Sequence, residues 1–301
     1  MGPRVNQARA DPDSYGLFTA EAVQDPYPYY KAMREREPVH WSERARAWYF
    51  TRYRDVFELQ DHWSDRCSNF LFQPVAPDKD AMAREQRDIL DAQQAYFMPL
   101  IEERRRDPGE DMIPAMARAE VGGERLTDLE ILATCNMMAT AGGGTSRSAI
   151  AMSLWWLHQF PDELAKLKAN PKLINLAAEE FLRYDAPTQR GIRTAREDFE
   201  IGGQKIREGQ IIHIMIGAAN RDPDQFKDPD RIDIARDPNR HVTLGHGVHY
   251  CLGAALARLE LRIAVASFLA RFPDYRLASN KIVYMDRTAS RRPTSVPIFA
   301  R

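Results

Sequence analysis

The sequence predicts a mainly α protein with a minor β component, an α+β fold. Two observations predict it. Stretches of helical character fill much of 84–184 and 252–271, while short β-branched and aromatic runs punctuated by turns occur at 39–53 and 198–216. The scale agrees: 301 residues, 44% apolar and 28% charged, suffice for one large domain or two ordinary ones with a substantial core.

Taken in order, residues 1–30 are rich in Pro, Asp and Tyr and read as an irregular lead-in. A short helix is expected over 28–36, stopped by Pro38, then a hairpin over 39–53 and another short helix over 54–60. Residues 68–83 form a proline-broken connection, and 84–106 a helix that Pro99 should kink or split. Thr127 and Glu130 have capping-box spacing and open the long helix, 128–160. Gly142, Gly143 and Gly144 interrupt it, each costing on the order of 1 kcal/mol relative to Ala in a helix interior. Such a cost implies a locally opened helix or a body that approaches its backbone closely. Helices are expected at 162–169 and 173–184, and strands separated by turns over 198–216. Asp-Pro pairs make 221–240 irregular. A last helix over 252–271 ends before Pro273, and KIVYM and VPIFA are strand-like tail pieces. No internal repeat or low-complexity tract is visible.

Composition narrows the function classes. A net charge of -1 gives no electrostatic footprint for nucleic acid. Mean hydropathy is -0.52, and no apolar stretch approaches the ~20 residues needed to span a bilayer. The polar N-terminus lacks the apolar core of a secretory signal. Three cysteines, Cys67, Cys135 and Cys251, do not make a disulfide scaffold. A cytoplasmic protein engaging neither nucleic acid nor membrane is expected.

Chemistry concentrates in Leu244-Gly245-His246-Gly247-Val248-His249-Tyr250-Cys251-Leu252-Gly253. A cysteine stands between a glycine-rich loop and a helix N-terminus. Glycines let the backbone approach a bulky ligand, and the helix end supplies unpaired N–H groups. A thiolate so placed suits a metal or a cofactor iron. Other readings are a buried structural cysteine, a zinc site with His246, His249 and Cys251 that lacks a fourth ligand at standard spacing, and a Cys–His nucleophile without a local signature.

The run LGHGVHYCLGAALARLE resembles the heme-binding loop of the cytochrome P-450 family, Phe-Gly-x-Gly-x-His/Arg-x-Cys-x-Gly, with Leu244 where Phe is usual. The resemblance implies that Cys251 ligates the iron of heme b (iron protoporphyrin IX), with Gly245, Gly247 and Gly253 shaping the loop. Glu180 and Arg183 resemble the family's Glu-x-x-Arg pair, and Arg231 the structural arginine that completes it. Arg193 and His249 match propionate-binding positions. The glycine-interrupted helix resembles the family's central helix, Ala-Gly-x-(Asp/Glu)-Thr-(Thr/Ser), which crosses the distal face of the heme. Ala141, Gly142, Thr145 and Ser146 match, and Gly144 replaces the acid that feeds protons to dioxygen.

The likeness covers residues 15–68 and 99–301. It implies a single heme-thiolate domain over 1–301: an N-terminal helix and hairpin region (1–68), a shortened connection (69–98) and a heme-binding core (99–301). Part of the distal helical region has no counterpart, including a helix with a propionate-binding His-x-x-x-Arg and two helices that roof the substrate pocket. The implied function is a heme-thiolate monooxygenase that inserts one oxygen atom from dioxygen into a C–H bond of a small apolar or lipid- or steroid-like substrate. Electrons would come from a ferredoxin-type or flavoprotein partner. The alternatives are a peroxide-driven or non-monooxygenating heme protein and a minimal non-catalytic heme-binding scaffold.

Overall fold

Caps and prolines set where the helices begin. A computed structural model describes residues 15–17, 19–61, 67–69, 79–285 and 289–300. In chain order the described elements are α1 (Ala20–Gln24), α2 (Tyr27–Arg36), β1 (Val39–Ser42), β2 (Ala47–Phe50), α3 (Tyr53–Asp61), β3 (Cys67–Asn69), α4 (Lys79–Arg106) and α5 (Met112–Arg118). There follow β4 (Glu120–Val121), β5 (Glu124–Arg125), α6 (Asp128–Gln159), α7 (Pro161–Ala169) and α8 (Ile174–Tyr184). The series closes with β6 (Gly191–Ala195), β7 (Phe199–Ile201), β8 (Gln204–Ile206), β9 (Ile211–Ile214), α9 (Ile216–Ala219), α10 (Ala254–Arg271), β10 (Arg276–Leu277) and β11 (Ile298–Phe299). The mainly helical α+β class is as expected.

The chain forms two compact units, Met1–Leu71 with Thr145–Arg301, and Phe72–Gly144. In the first, one mixed sheet runs β1-β2-β9-β6-β3. The β2–β9 pairing is parallel and its neighbours are antiparallel. Phe50, Ile212, Ile214 and Ile216 bury against Val56 and Leu59 of α3. A second cluster joins Leu154 and Leu157 of α6, Phe181 and Leu182 of α8, and Leu261 and Val265 of α10. These two cores anchor the elements that carry the candidate site. In the second unit, Ile101 of α4 packs with Ala117 of α5 and with Ile131, Leu132 and Cys135 of α6.

The capping box forms in both directions. The Thr127 N–H donates to Glu130 Oε2 at 2.8 Å, and the Glu130 N–H to Thr127 Oγ1 at 3.3 Å. Helix α6 continues through the three glycines, so the helix is not opened there. No described atom outside the helix's own backbone lies within 4 Å of where a Cβ would sit at Gly142 or Gly143.

Some local expectations change. The lead-in holds α1, capped by Thr19, whose Oγ1 accepts from the Ala22 N–H at 3.2 Å. Helix α4 begins ahead of residue 84 and keeps Pro99 inside one run. A proline removes one backbone donor there, while Phe97, Met98 and Ile101 on the same turns pack into the core. Helix α5 and the β4–β5 hairpin fill 112–125, which the sequence left unassigned. Residues 1–14 and most of the 68–83 connection lie outside the described residues.

Candidate active site

The Cys251 loop is closed by its own backbone. The Cys251 N–H donates to Leu244 O at 2.8 Å, and the Cys251 carbonyl accepts from the Ala254 N–H at 3.1 Å as α10 begins. Closing so tight a loop requires glycine at its turn. Gly245 has φ +75°, and a Cβ there would stand 3.1 Å from the His249 carbonyl oxygen. Gly247 also has positive φ, and Gly247–His249 form one 3-10 turn. Gly253 caps α10. Cys251 is a half-buried free cysteine. Leu244, where the family pattern has Phe, is partly buried against the α8–α10 core. Val248, Tyr250 and Leu252 expose apolar surface around the cysteine.

Several elements hold this loop. Asn220 accepts the Val242 N–H at 2.9 Å and donates its own amide to Thr243 Oγ1 at 2.7 Å. The Thr243 hydroxyl donates to Leu182 O at 2.7 Å. His246 Nδ1 lies 2.8 Å from Asp61 Oδ1 at the end of α3. That contact takes His246 to Asp61. Among the described residues no group of three or more His, Cys, Asp or Glu side chains is placed to hold a metal ion.

Glu180 and Arg183 form a wholly buried pair on α8, with Nε–Oε2 and Nη2–Oε1 both at 2.8 Å. Arg183 also donates to the carbonyls of Asn220, Pro229 and Arg231 at 2.9–3.0 Å. All five guanidinium donors are therefore engaged. Glu180 further accepts the Asp233 N–H and Asn239 Nδ2. The expectation for Arg231 needs correcting. Its side chain is exposed, and it contributes a carbonyl oxygen rather than a guanidinium. Arg236 supplies the second guanidinium, Nε to Glu180 Oε2 at 3.1 Å. The reason is local: the Asp233 N–H occupies Oε1, so Oε2 is left to donors further along the chain.

Arg193 stands half-buried on β6, in register with Ile212 of β9, and donates Nη1 to its neighbour's carbonyl, Ile192 O, at 3.1 Å. His249 is half-buried beside the cysteine. On α6, Thr145 and Ser146 are half-buried, Gly144 is buried, and Ala141 and Gly142 are exposed.

Sequence reasoning missed a second carboxylate. Glu179 holds Arg258 of α10 through Nε–Oε1 at 2.7 Å and Nη2–Oε2 at 3.0 Å, and His241 Nε2 lies 3.2 Å from Oε2. Arg258 Nη1 donates to Tyr250 Oη at 2.7 Å. Burial raises the Glu179 carboxyl, but the hydrogen bonds from His241 and Arg258 outweigh it and hold its pKa at about 2. The hydrogen bonds to Glu179 and Tyr250 push Arg258 up. The Glu179-Glu180 doublet was the available signal.

A family model for cytochrome P450 matches residues 54–275. The chain belongs to the cytochrome P450 family. The biotin biosynthesis cytochrome P450 of Bacillus subtilis (strain 168) is 43% identical over 204 residues, 68% of this chain and 51% of that protein. The polyketide biosynthesis cytochrome P450 PksS of the same organism is 42% identical over 184 residues, 61% of this chain and 45% of that protein. The chain spans about half the length of the curated relatives it matches. Among solved structures, P450BioI in complex with hexadec-9Z-enoic acid ligated acyl carrier protein has a TM-score of 0.82 at 28% identity, covering 94% of this chain and 99% of that one.

Cytochrome P450 proteins bind heme b. The chemistry of the donor set fits that group. A half-buried thiol is carried on a hydrogen-bonded loop rimmed by exposed apolar side chains, and a guanidinium and an imidazole in the same unit suit its carboxylates. No described helix is long and apolar enough to cross a membrane.

Proposed function

We propose that this chain is a heme-thiolate monooxygenase that inserts one oxygen atom from dioxygen into a C–H bond of a small apolar or lipid-like substrate. Electrons come from a ferredoxin-type or flavoprotein partner. The observation that carries the reading is the Cys251 loop, closed by the Cys251 N–H on Leu244 O at 2.8 Å and opening directly into an 18-residue helix. When bound, heme b supplies dioxygen activation and oxygen transfer.

The chain's own residues do the rest. Cys251 would supply the thiolate that holds the iron, and the glycine turns at 245 and 247 let the backbone ahead of it close tightly. Arg193 and His249 bind the carboxylates by charge-assisted hydrogen bonds. Ala141 offers only a methyl group and Gly142 bare backbone, and Thr145 and Ser146 hold and pass protons through their hydroxyls. Residues 1–301 work as one heme-thiolate domain, with Glu180, Arg183 and Arg236 holding the irregular segment ahead of the loop. The lipid-like substrate class draws support from relatives named for biotin and polyketide biosynthesis and from the acyl carrier protein complex.

Gly144 favours a second reading, peroxide-driven turnover. A positioned acid typically contributes ~10²–10⁴-fold to proton delivery, and Gly144 has no side chain to offer. Hydrogen peroxide brings its own protons. The test is product formed per reductant consumed, with a ferredoxin–reductase system, in the parent and in Gly144→Asp. Loose coupling in the parent and a gain on restoring the acid is the expected result. Tight coupling in the parent with no gain would make Gly144 functionally neutral.

A further inference from the structure

Glu179 precedes the buried Glu180 on α8 but takes no part in that pair's bonds. Its carboxylate faces both ends of the segment that carries Cys251. On the near side is His241, before the loop, with Nε2 at 3.2 Å from Oε2. On the far side is Arg258, on the second turn of α10, in a two-bond fork at 2.7 and 3.0 Å. Arg258 then turns its remaining Nη1 back to Tyr250 Oη at 2.7 Å, and Tyr250 adjoins Cys251 in the chain.

One carboxylate thus joins α8, the approach to the loop and the helix that leaves it. Glu180 differs, because its donors sit at 183, 233, 236 and 239, all outside the loop. Fork-like arginine–carboxylate pairs are geometrically specific as well as strong, so this one fixes orientation rather than mere proximity. The Glu179 side chain is 24% exposed and that of Arg258 31%, sheltered enough to resist full screening by solvent.

We propose that Glu179 is a positioning residue for Cys251, clamping both ends of its loop through His241 and Arg258 and steadying the adjacent Tyr250. The proposal rests on the reading of Cys251 as the iron ligand. It assigns Glu179 no contact with substrate or cofactor.

The test uses the full chain with Cys67→Ser and Cys135→Ser, so that Cys251 is the remaining thiol. The alkylation rate of Cys251 by iodoacetamide at fixed pH reports how often the loop opens. Glu179→Gln and Arg258→Met should raise it at least about tenfold, the change expected when opening no longer breaks a charge-assisted hydrogen bond. Arg258→Lys keeps the charge but loses the fork and should fall between. Glu35→Gln, which breaks the exposed Lys31–Glu35 pair on α2, should leave the rate unchanged. After heme loading, the Glu179→Gln protein should show a smaller fraction of the thiolate-ligated ferrous–CO form at equal heme content. If Glu179→Gln does not fold, Tyr250→Phe removes only the last link and should still raise the rate. Unchanged rates in Glu179→Gln and Tyr250→Phe, or an equal rise in Glu35→Gln, would overturn the proposal. Failure of the heme reading is distinct: Cys251→Ser would then keep the thiolate spectrum.

Discussion

At the scale of the residue, the informative group is Glu179, whose charge is held by two partners against the cost of burial. A folded pKa of about 2 lies below the value near 4.3 of an unperturbed glutamate. The unfolded chain therefore takes up the proton first as pH falls. The stabilisation is complete above about pH 4.3 and is lost as pH drops towards about 2. Its size is on the order of 2–3 kcal/mol. Urea unfolding across that window should show a shallower acid loss of stability in Glu179→Gln than in the parent. Parallel curves would show that the carboxylate carries no such coupling. Sequence reading reached Cys251, Glu180 and Arg183 because the Gly-rich loop and the Glu-x-x-Arg spacing resemble family patterns that are short and continuous in the chain. It did not reach Arg236. Arg231, Arg236 and Arg240 all lie in an irregular segment, where no periodicity says which side chain turns inward.

At the scale of the element, the mixed sheet carries Arg193 on β6 and, on the neighbouring strand β9, a buried histidine. His213 of β9 stands in register with Tyr49 of β2, and the two rings stack at 4.4 Å. Burial, together with the nearby Arg190 charge, holds His213 well below the ordinary histidine range. It is neutral in the fold, while the unfolded chain's histidine takes a proton below about pH 6.5. The sheet should therefore lose stability as pH falls through that value, and His213→Phe should remove this loss. Thermal melts between about pH 7 and 5 check it, and an unchanged pH slope in the variant would count against it. Element prediction succeeded where runs were long or well capped, as for α6 with its Thr127–Glu130 box. It missed α1 and α5, of five and seven residues, which are too short to show a helical period. It also missed β6, whose strand character depends on pairing with β3 and β9.

At the scale of the whole molecule, an irregular stretch of chain is organised around one buried carboxylate, Glu180, and the guanidiniums of Arg183 and Arg236. Arg183 gathers three carbonyls from 220, 229 and 231 while Glu180 neutralises it. Removing Arg183 leaves Glu180 with Arg236 alone and takes the donor from three carbonyls, and breaking a buried pair typically costs about 3–5 kcal/mol. Arg183→Ala should therefore shift the urea midpoint strongly, whereas Arg231→Ala, with an exposed side chain, should not. Equal shifts would contradict the exchange of roles between Arg231 and Arg236. The fold class was legible because patterning alone separates helix from strand, while the contacts of 221–240 were not, because they depend on tertiary packing. The central claim is that Cys251 is the thiolate ligand of a heme iron. The absorption spectrum of the reduced, CO-treated protein tests it most directly. The parent, Cys67→Ser and Cys135→Ser should all show the long-wavelength Soret band of a thiolate-ligated heme, and Cys251→Ser should lose it; that band persisting in Cys251→Ser would contradict the account.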